Sequence, residues 1–151
     1  MTAALDFTRI RRLILIYAVV QVLLVLLLIY MAVNFQTRLS SDRFLKSVVI
    51  TLVVQLALFY PINKLAAREA GREVDSCAPG LTPEQLKGLR NKRLIGDSIK
   101  LAVIIFFITF IFKAPPHPFV MSTLYFTFIL TILSYFQCFN FAARRKMRGQ
   151  G

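Results

Sequence analysis

Apolar residues run along this chain in four long tracts, and polar residues collect between them. Three tracts, residues 13–35, 44–65 and 119–143, each exceed the about 20 predominantly apolar residues that a membrane-crossing helix needs. A fourth, residues 101–112, would form a helix of only about 18 Å, short of a hydrocarbon core of about 30 Å. Extending it back gives a span over 94–113 and brings Asp97 and Lys100 into it. Both must then lie among the head groups or reach toward them. The pattern predicts an all-α fold, an integral membrane four-helix bundle forming one domain over residues 1–151.

Inside the tracts the sparse polar residues are periodic. Thr123, Thr127, Thr131, Ser134 and Cys138 recur every three or four residues, which places them on one helical face. Ser47, Thr51 and Gln55 repeat the first part of that stripe. Small and hydroxylated residues let helices approach closely in lipid, so the stripe reads as a packing seam, the alternative being the polar lining of a substrate path. Gln21 and Gln55 fall at similar depths in the first two spans and are placed to hydrogen-bond across that hairpin, or to line a path with Thr51.

The connectors are unequal. Two are short, "QTRLSSDR" and "APPHP", the second a proline turn carrying the one histidine, His117, read as a solvated turn residue. The third, residues 66–93, is the one sizeable soluble stretch. Within it Thr82, Pro83 and Gln85 form a helix start, with Thr82 as N-cap and Gln85 closing a capping box. A short amphipathic cytoplasmic helix is expected from there, either projecting straight into the third span or bending near Gly88 or Gly96. In the second span, Pro61 is expected to kink the helix.

The halves of the chain resemble each other. Residues 47–68 align without gaps on 123–144, pairing Ser47 with Thr123, Gln55 with Thr131, and "AAR" with "AAR". Arg9, Arg11, Arg12, Leu13 and Ile14 similarly match Arg90, Lys92, Arg93, Leu94 and Ile95. Two tandem two-helix hairpins in parallel repeat fit this. So does the likeness that any two arginine-flanked apolar helices share through composition.

Composition strengthens the membrane reading: 57% of the 151 residues are hydrophobic, more than one water-soluble core of this size can hide. Charge then supplies direction. Of 19 Lys and Arg, 15 fall on one side of the four-span topology if both termini share it, leaving Arg38, Arg43, Lys46 and Lys113 opposite. The positive-inside rule makes that side the cytoplasm, with N-in/C-in topology in the cell inner membrane and the first tract kept as an anchor. A net charge of +12 gathered at span ends selects anionic head groups as partners over nucleic acid.

Chemistry is sparse. Cys77 and Cys138 have no metal-ligand spacing and are expected as free thiols. Asp6, Asp42, Glu69, Glu73, Asp75 and Glu84 all lie outside the predicted spans, so no carboxylate pair, nucleophile–histidine pair, cofactor or metal site is expected. Arg93, Asp97 and Lys100 share one helix face at the inner surface. Together with Arg90 they form a candidate anionic-lipid or phosphate site, the plainer reading being an anchor that sets the depth of a short span. The expected role is a non-catalytic binding or accessory component, working through helix packing, homo-oligomer or partner contacts and a basic cytoplasmic face. The alternatives are an uncoupled channel or transporter at an oligomer interface, and a lipid-acting membrane enzyme.

Overall fold

The computed structural model describes residues 7–150, which are helical apart from short turns. In chain order the helices are α1 (Thr8–Arg38), α2 (Ser41–Asp75), α3 (Pro83–Lys113) and α4 (Pro118–Gln150). Each is long and apolar enough to cross a membrane, which is the make-up of a multi-pass membrane protein. Asp6 lies outside the described residues.

The helices extend past their apolar tracts at the basic end. Good helix formers such as Ala66, Ala67 and Ala70 carry α2 on to Asp75, so the turn before α3 spans only residues 76–82. Gly80, at φ +78°, takes the left-handed conformation that this turn requires. The capping box then forms: the Gln85 amide donates to Thr82 Oγ1 at 3.3 Å, and the Thr82 amide donates to Gln85 Oε1 at 3.0 Å. From there α3 runs unbroken for 31 residues, so no separate amphipathic helix precedes the third span. A glycine inside a helix costs only about 1 kcal/mol, and Gly88 and Gly96 sit among good helix formers with no proline to stop the helix. Likewise α2 continues through Pro61.

Helices α2 and α4 lie side by side along their length. Most cross-links between them keep a nearly constant sequence offset, 76 for Ser47 with Thr123, 76 for Gln55 with Thr131 and 75 for Gly71 with Lys146, so the two run parallel, with Gln55–Ser134 at 79 and the long Glu69–Tyr135 reach at 66 as departures. Helix α1 packs antiparallel on α4 through two apolar clusters. At the basic end Ile10 and Ile14 meet Phe139 and Ala143, joined by Ala66, Ala70 and Val74 of α2. At the far end Phe35 and Leu39 meet Phe126. Alanines at this crossing leave little between the backbones, the arrangement that favours helix contact in lipid.

Helix α3 stands apart. Gly96 is its one buried residue, and its outer half reaches the other helices through Phe107, whose ring centroid lies 5.3 Å from that of Phe128. Most apolar side chains of α1 and α3 point outward, as Phe112 at 84% exposure and Leu23 at 60% illustrate, and hydrocarbon is the solvent that suits them.

Candidate functional site

The polar residues of the helices form two separate groups. The first is the hydroxyl stripe, which lies in the α2–α4 contact. Ser47 Oγ sits 2.9 Å from Ser122 Oγ and 3.0 Å from Thr123 Oγ1. Two to three turns further, Gln55 Nε2 donates to Ser134 Oγ at 2.9 Å and to the Leu130 carbonyl at 3.3 Å, while Thr131 Oγ1 donates to Gln55 Oε1 at 3.5 Å. The hydroxyls of Thr51, Thr127 and Thr131 also donate to carbonyls one turn back on their own helices. Ser47 and Ser122 are fully buried.

Gln55 therefore turns to α4, and the expected Gln21–Gln55 bond does not form. Matching depth fixed only the axial position of the two amides. The azimuth is set by α1 packing on α4, which leaves α1 and α2 with few contacts.

The second group lies at the basic end, where the C-terminal half of α2 meets the first half of α3. Glu69 and Glu73, one turn apart on α2, face Arg93, Asp97 and Lys100, which keep the same one-turn spacing on α3. Lys100 Nζ lies 3.1 Å from Glu69 Oε2 and 2.9 Å from Asp97 Oδ1, and Arg93 Nε lies 3.4 Å from Glu73 Oε1. From α4, the Tyr135 hydroxyl donates to Glu69 Oε2 and accepts from Lys100 Nζ at 3.3 Å. Arg72 donates through Nη1 to the Lys92 carbonyl, a further α2–α3 tie.

Glycine makes this approach possible. A Cβ on Gly96 would collide with Glu69 Oε1 and lie 3.3 Å from its Cδ. Glu69 is buried, and its Oε1 has no hydrogen-bond partner among the described residues. It borders a cavity of about 40 Å³ shared with Tyr17, Glu73, Asp97 and Lys100, room for a single water molecule.

Of the four residues singled out at this end, three enter that ion-pair network: Arg93, Asp97 and Lys100. Arg90 makes no ion pair among the described residues and borders a wider cleft with Arg9 and Leu86. Glu69, Glu73 and Tyr135 were not anticipated. The signal lies in residues spaced by whole turns, Glu69 and Glu73 on one helix and Arg93, Asp97 and Lys100 on the next, visible once α2 is continued past its apolar tract.

The arrangement can fix α3 against α2 and α4 and hold charge in a shielded place. Neither Cys77 nor Cys138 is in a disulfide: Cys77 Sγ donates to the Glu73 carbonyl at 3.5 Å, and Cys138 is buried in the α1–α4 contact. Among the described residues no three of His, Cys, Asp and Glu converge as metal ligands. His117 is exposed in the proline turn, where its Nδ1 accepts from the Phe119 amide at 3.3 Å. The chain matches no protein-family model, no curated protein and no solved structure.

Proposed function

We propose that this protein is a non-catalytic binding or accessory component of the inner membrane, with both termini cytoplasmic, working through helix packing and its basic face. The observation that carries this reading is the seating of α3. It is tied down at its basic end by Glu69, Glu73 and Tyr135, yet its outer half offers an almost uncovered apolar surface that includes Phe106 and Phe110. A helix fixed in depth and free along its flank suits a partner helix in the bilayer, which is either another membrane protein or a second copy of this chain.

Two further observations support parts of this reading. Most α2–α4 cross-links keep an offset of 75–76 residues, within one residue of the 76-residue offset that aligns the chain's halves, so aligned positions lie close to each other across this contact. A duplicated hairpin with its pseudo-axis along the membrane normal has that property. And the hydroxyl stripe is engaged between α2 and α4, which leaves it unsuited to line a pore.

The test is a photo-crosslinking amino acid placed at Phe106 or Phe110 in cells. A discrete protein adduct is expected, absent when the same probe replaces Ser122 inside the α2–α4 contact. Adducts to lipid alone at both α3 positions would refute the reading. A liposome flux assay separates the alternative: permeability above that of empty vesicles would favour a channel.

A further inference from the structure

We infer that the cleft between α2 and α3 is a binding site for one anionic phospholipid, its phosphate held by Arg68, Arg72 and Lys92 and its acyl chain lying on Leu65, Ile95 and Ile99. The assignment rests on the proposed reading of the basic end as the head-group side of the membrane.

The cleft has a volume of about 610 Å³ and is bordered by those six residues, with Ala67 and the Lys146–Asp75 ion pair at its edge. Charge is segregated around α3. On the side facing Glu69 and Glu73, Arg93 and Lys100 are paired with carboxylates. On the cleft side, Arg68 and Lys92 make no ion pair among the described residues, and Arg72, which borders both the cleft and the Glu69–Glu73 side, makes no ion pair either and donates to the carbonyls of Arg68 and Lys92. Three cations without a carboxylate at the mouth of an apolar groove match a ligand with an anionic head and a hydrocarbon body.

Depth agrees. Lys92 lies 21 residues before Lys113, about 31 Å along α3, close to the thickness of the hydrocarbon core. With Lys113 at one surface, Lys92 is at the other, among head groups. Ile95 and Ile99 then lie roughly 5 and 10 Å deeper, at the level of acyl chains.

The internal likeness shows what is missing from this groove. Ile14 of α1 and Ala143 of α4 are buried in the same cluster, at 6% and 0% exposure. Their aligned counterparts are Ile95 of α3 and Ala67 of α2, which border the open cleft, Ile95 at 62% exposure. Where the first half closes helix on helix, the second leaves an open groove beside the point where Gly96 lets α3 approach Glu69.

The experiment is native mass spectrometry of the full chain released from detergent micelles containing phosphatidylglycerol or phosphatidylcholine. The wild type is expected to retain one phosphatidylglycerol in preference to phosphatidylcholine. Substituting Arg68→Gln, Arg72→Gln and Lys92→Gln together should lower that retention about a hundredfold, each cation contributing roughly a factor of five. The control triple Arg144→Gln, Arg145→Gln and Arg148→Gln removes equal charge outside the cleft and should change retention less than about twofold. Ile95→Trp with Ile99→Trp, which fills the groove and keeps every charge, should also lose the lipid, and this variant decides the matter if the first triple does not fold. Inorganic phosphate should not displace the lipid.

If the wild type shows no preference for phosphatidylglycerol, the reading of the basic end fails and the site with it. If the preference exists but the two triples weaken it equally, only the cleft assignment fails. Full retention in the tryptophan variant, or complete displacement by phosphate, would equally overturn the seat for an acyl chain.

Discussion

Two glycines at the basic end differ in what a methyl group would meet. At Gly96 a Cβ collides with Glu69, which is buried and already bound to Lys100 and Tyr135, so the carboxylate cannot swing aside without breaking both contacts. At Gly71 a Cβ meets only the end of Lys146, at 3.4 Å. Gly96→Ala should therefore destabilise the protein by about 1–3 kcal/mol, the usual range for overpacking. Gly71→Ala should be neutral or stabilise by up to about 1 kcal/mol through helix propensity. Thermal unfolding in detergent, followed by circular dichroism, separates the two. The same logic sets Lys100 against Lys92. Lys100→Met leaves Glu69 buried without its cation and should cost about 2–3 kcal/mol, near the lower end for a broken buried pair because Lys100 is 29% exposed. Lys92→Met should cost less than about 0.5 kcal/mol. Equal losses would show that the ion pair does not hold α3.

At the scale of the helix, the hydroxyl stripe was legible because a helix repeats a face every three or four residues, and Thr123, Thr127, Thr131 and Ser134 keep that period. Which helix the stripe meets was not legible, since periodicity gives the face of an element and says nothing of its neighbour. That is why Gln21 was paired with Gln55 on depth alone, whereas the structure gives Gln55 to Leu130, Thr131 and Ser134. Likewise hydropathy leaves Glu69 and Glu73 outside the spans because it marks where lipid contact ends, and a helix does not have to end there. The Thr82 capping box was legible in full, its four residues carrying all of its chemistry. A direct consequence is an asymmetry between the amides. Gln55→Leu should cost about 1–2 kcal/mol, the upper part of the range for interhelical hydrogen bonds in membranes, and Gln21→Leu should stay within about 0.5 kcal/mol. Chemical unfolding of both variants in mixed micelles measures the difference, and equal costs would place Gln21 in a contact of its own.

For the whole molecule, the distribution of charge and the packing point the same way. The tight α2–α4 and α1–α4 contacts make a three-helix body, and α3 is joined to it by the Arg93–Glu73 and Lys100–Glu69 ion pairs, both near the basic end. Four helices return the chain to the side on which it began, so the start of α1 and the end of α4 share that end with the basic residues on either side of the α2–α3 turn. Positive charges cross a bilayer poorly and concentrate on the cytoplasmic side, which is the ground for the proposed orientation with this end inside. The opposite end carries only Arg38, Arg43, Lys46 and Lys113 and two short turns. A reporter enzyme active only outside the cytoplasm should therefore be silent when fused after residue 151 and active when inserted in the turn at residues 114–117. The reverse pattern would invert the molecule and move the cleft lined by Arg68, Arg72 and Lys92 to the outer leaflet. Activity at both positions would mean that the chain does not cross between them, and α4 would then have to lie along the surface. Its intimate parallel contact with α2 from Ser122 to Lys146 argues against that, because a surface helix cannot keep a constant register with a spanning one over some 36 Å.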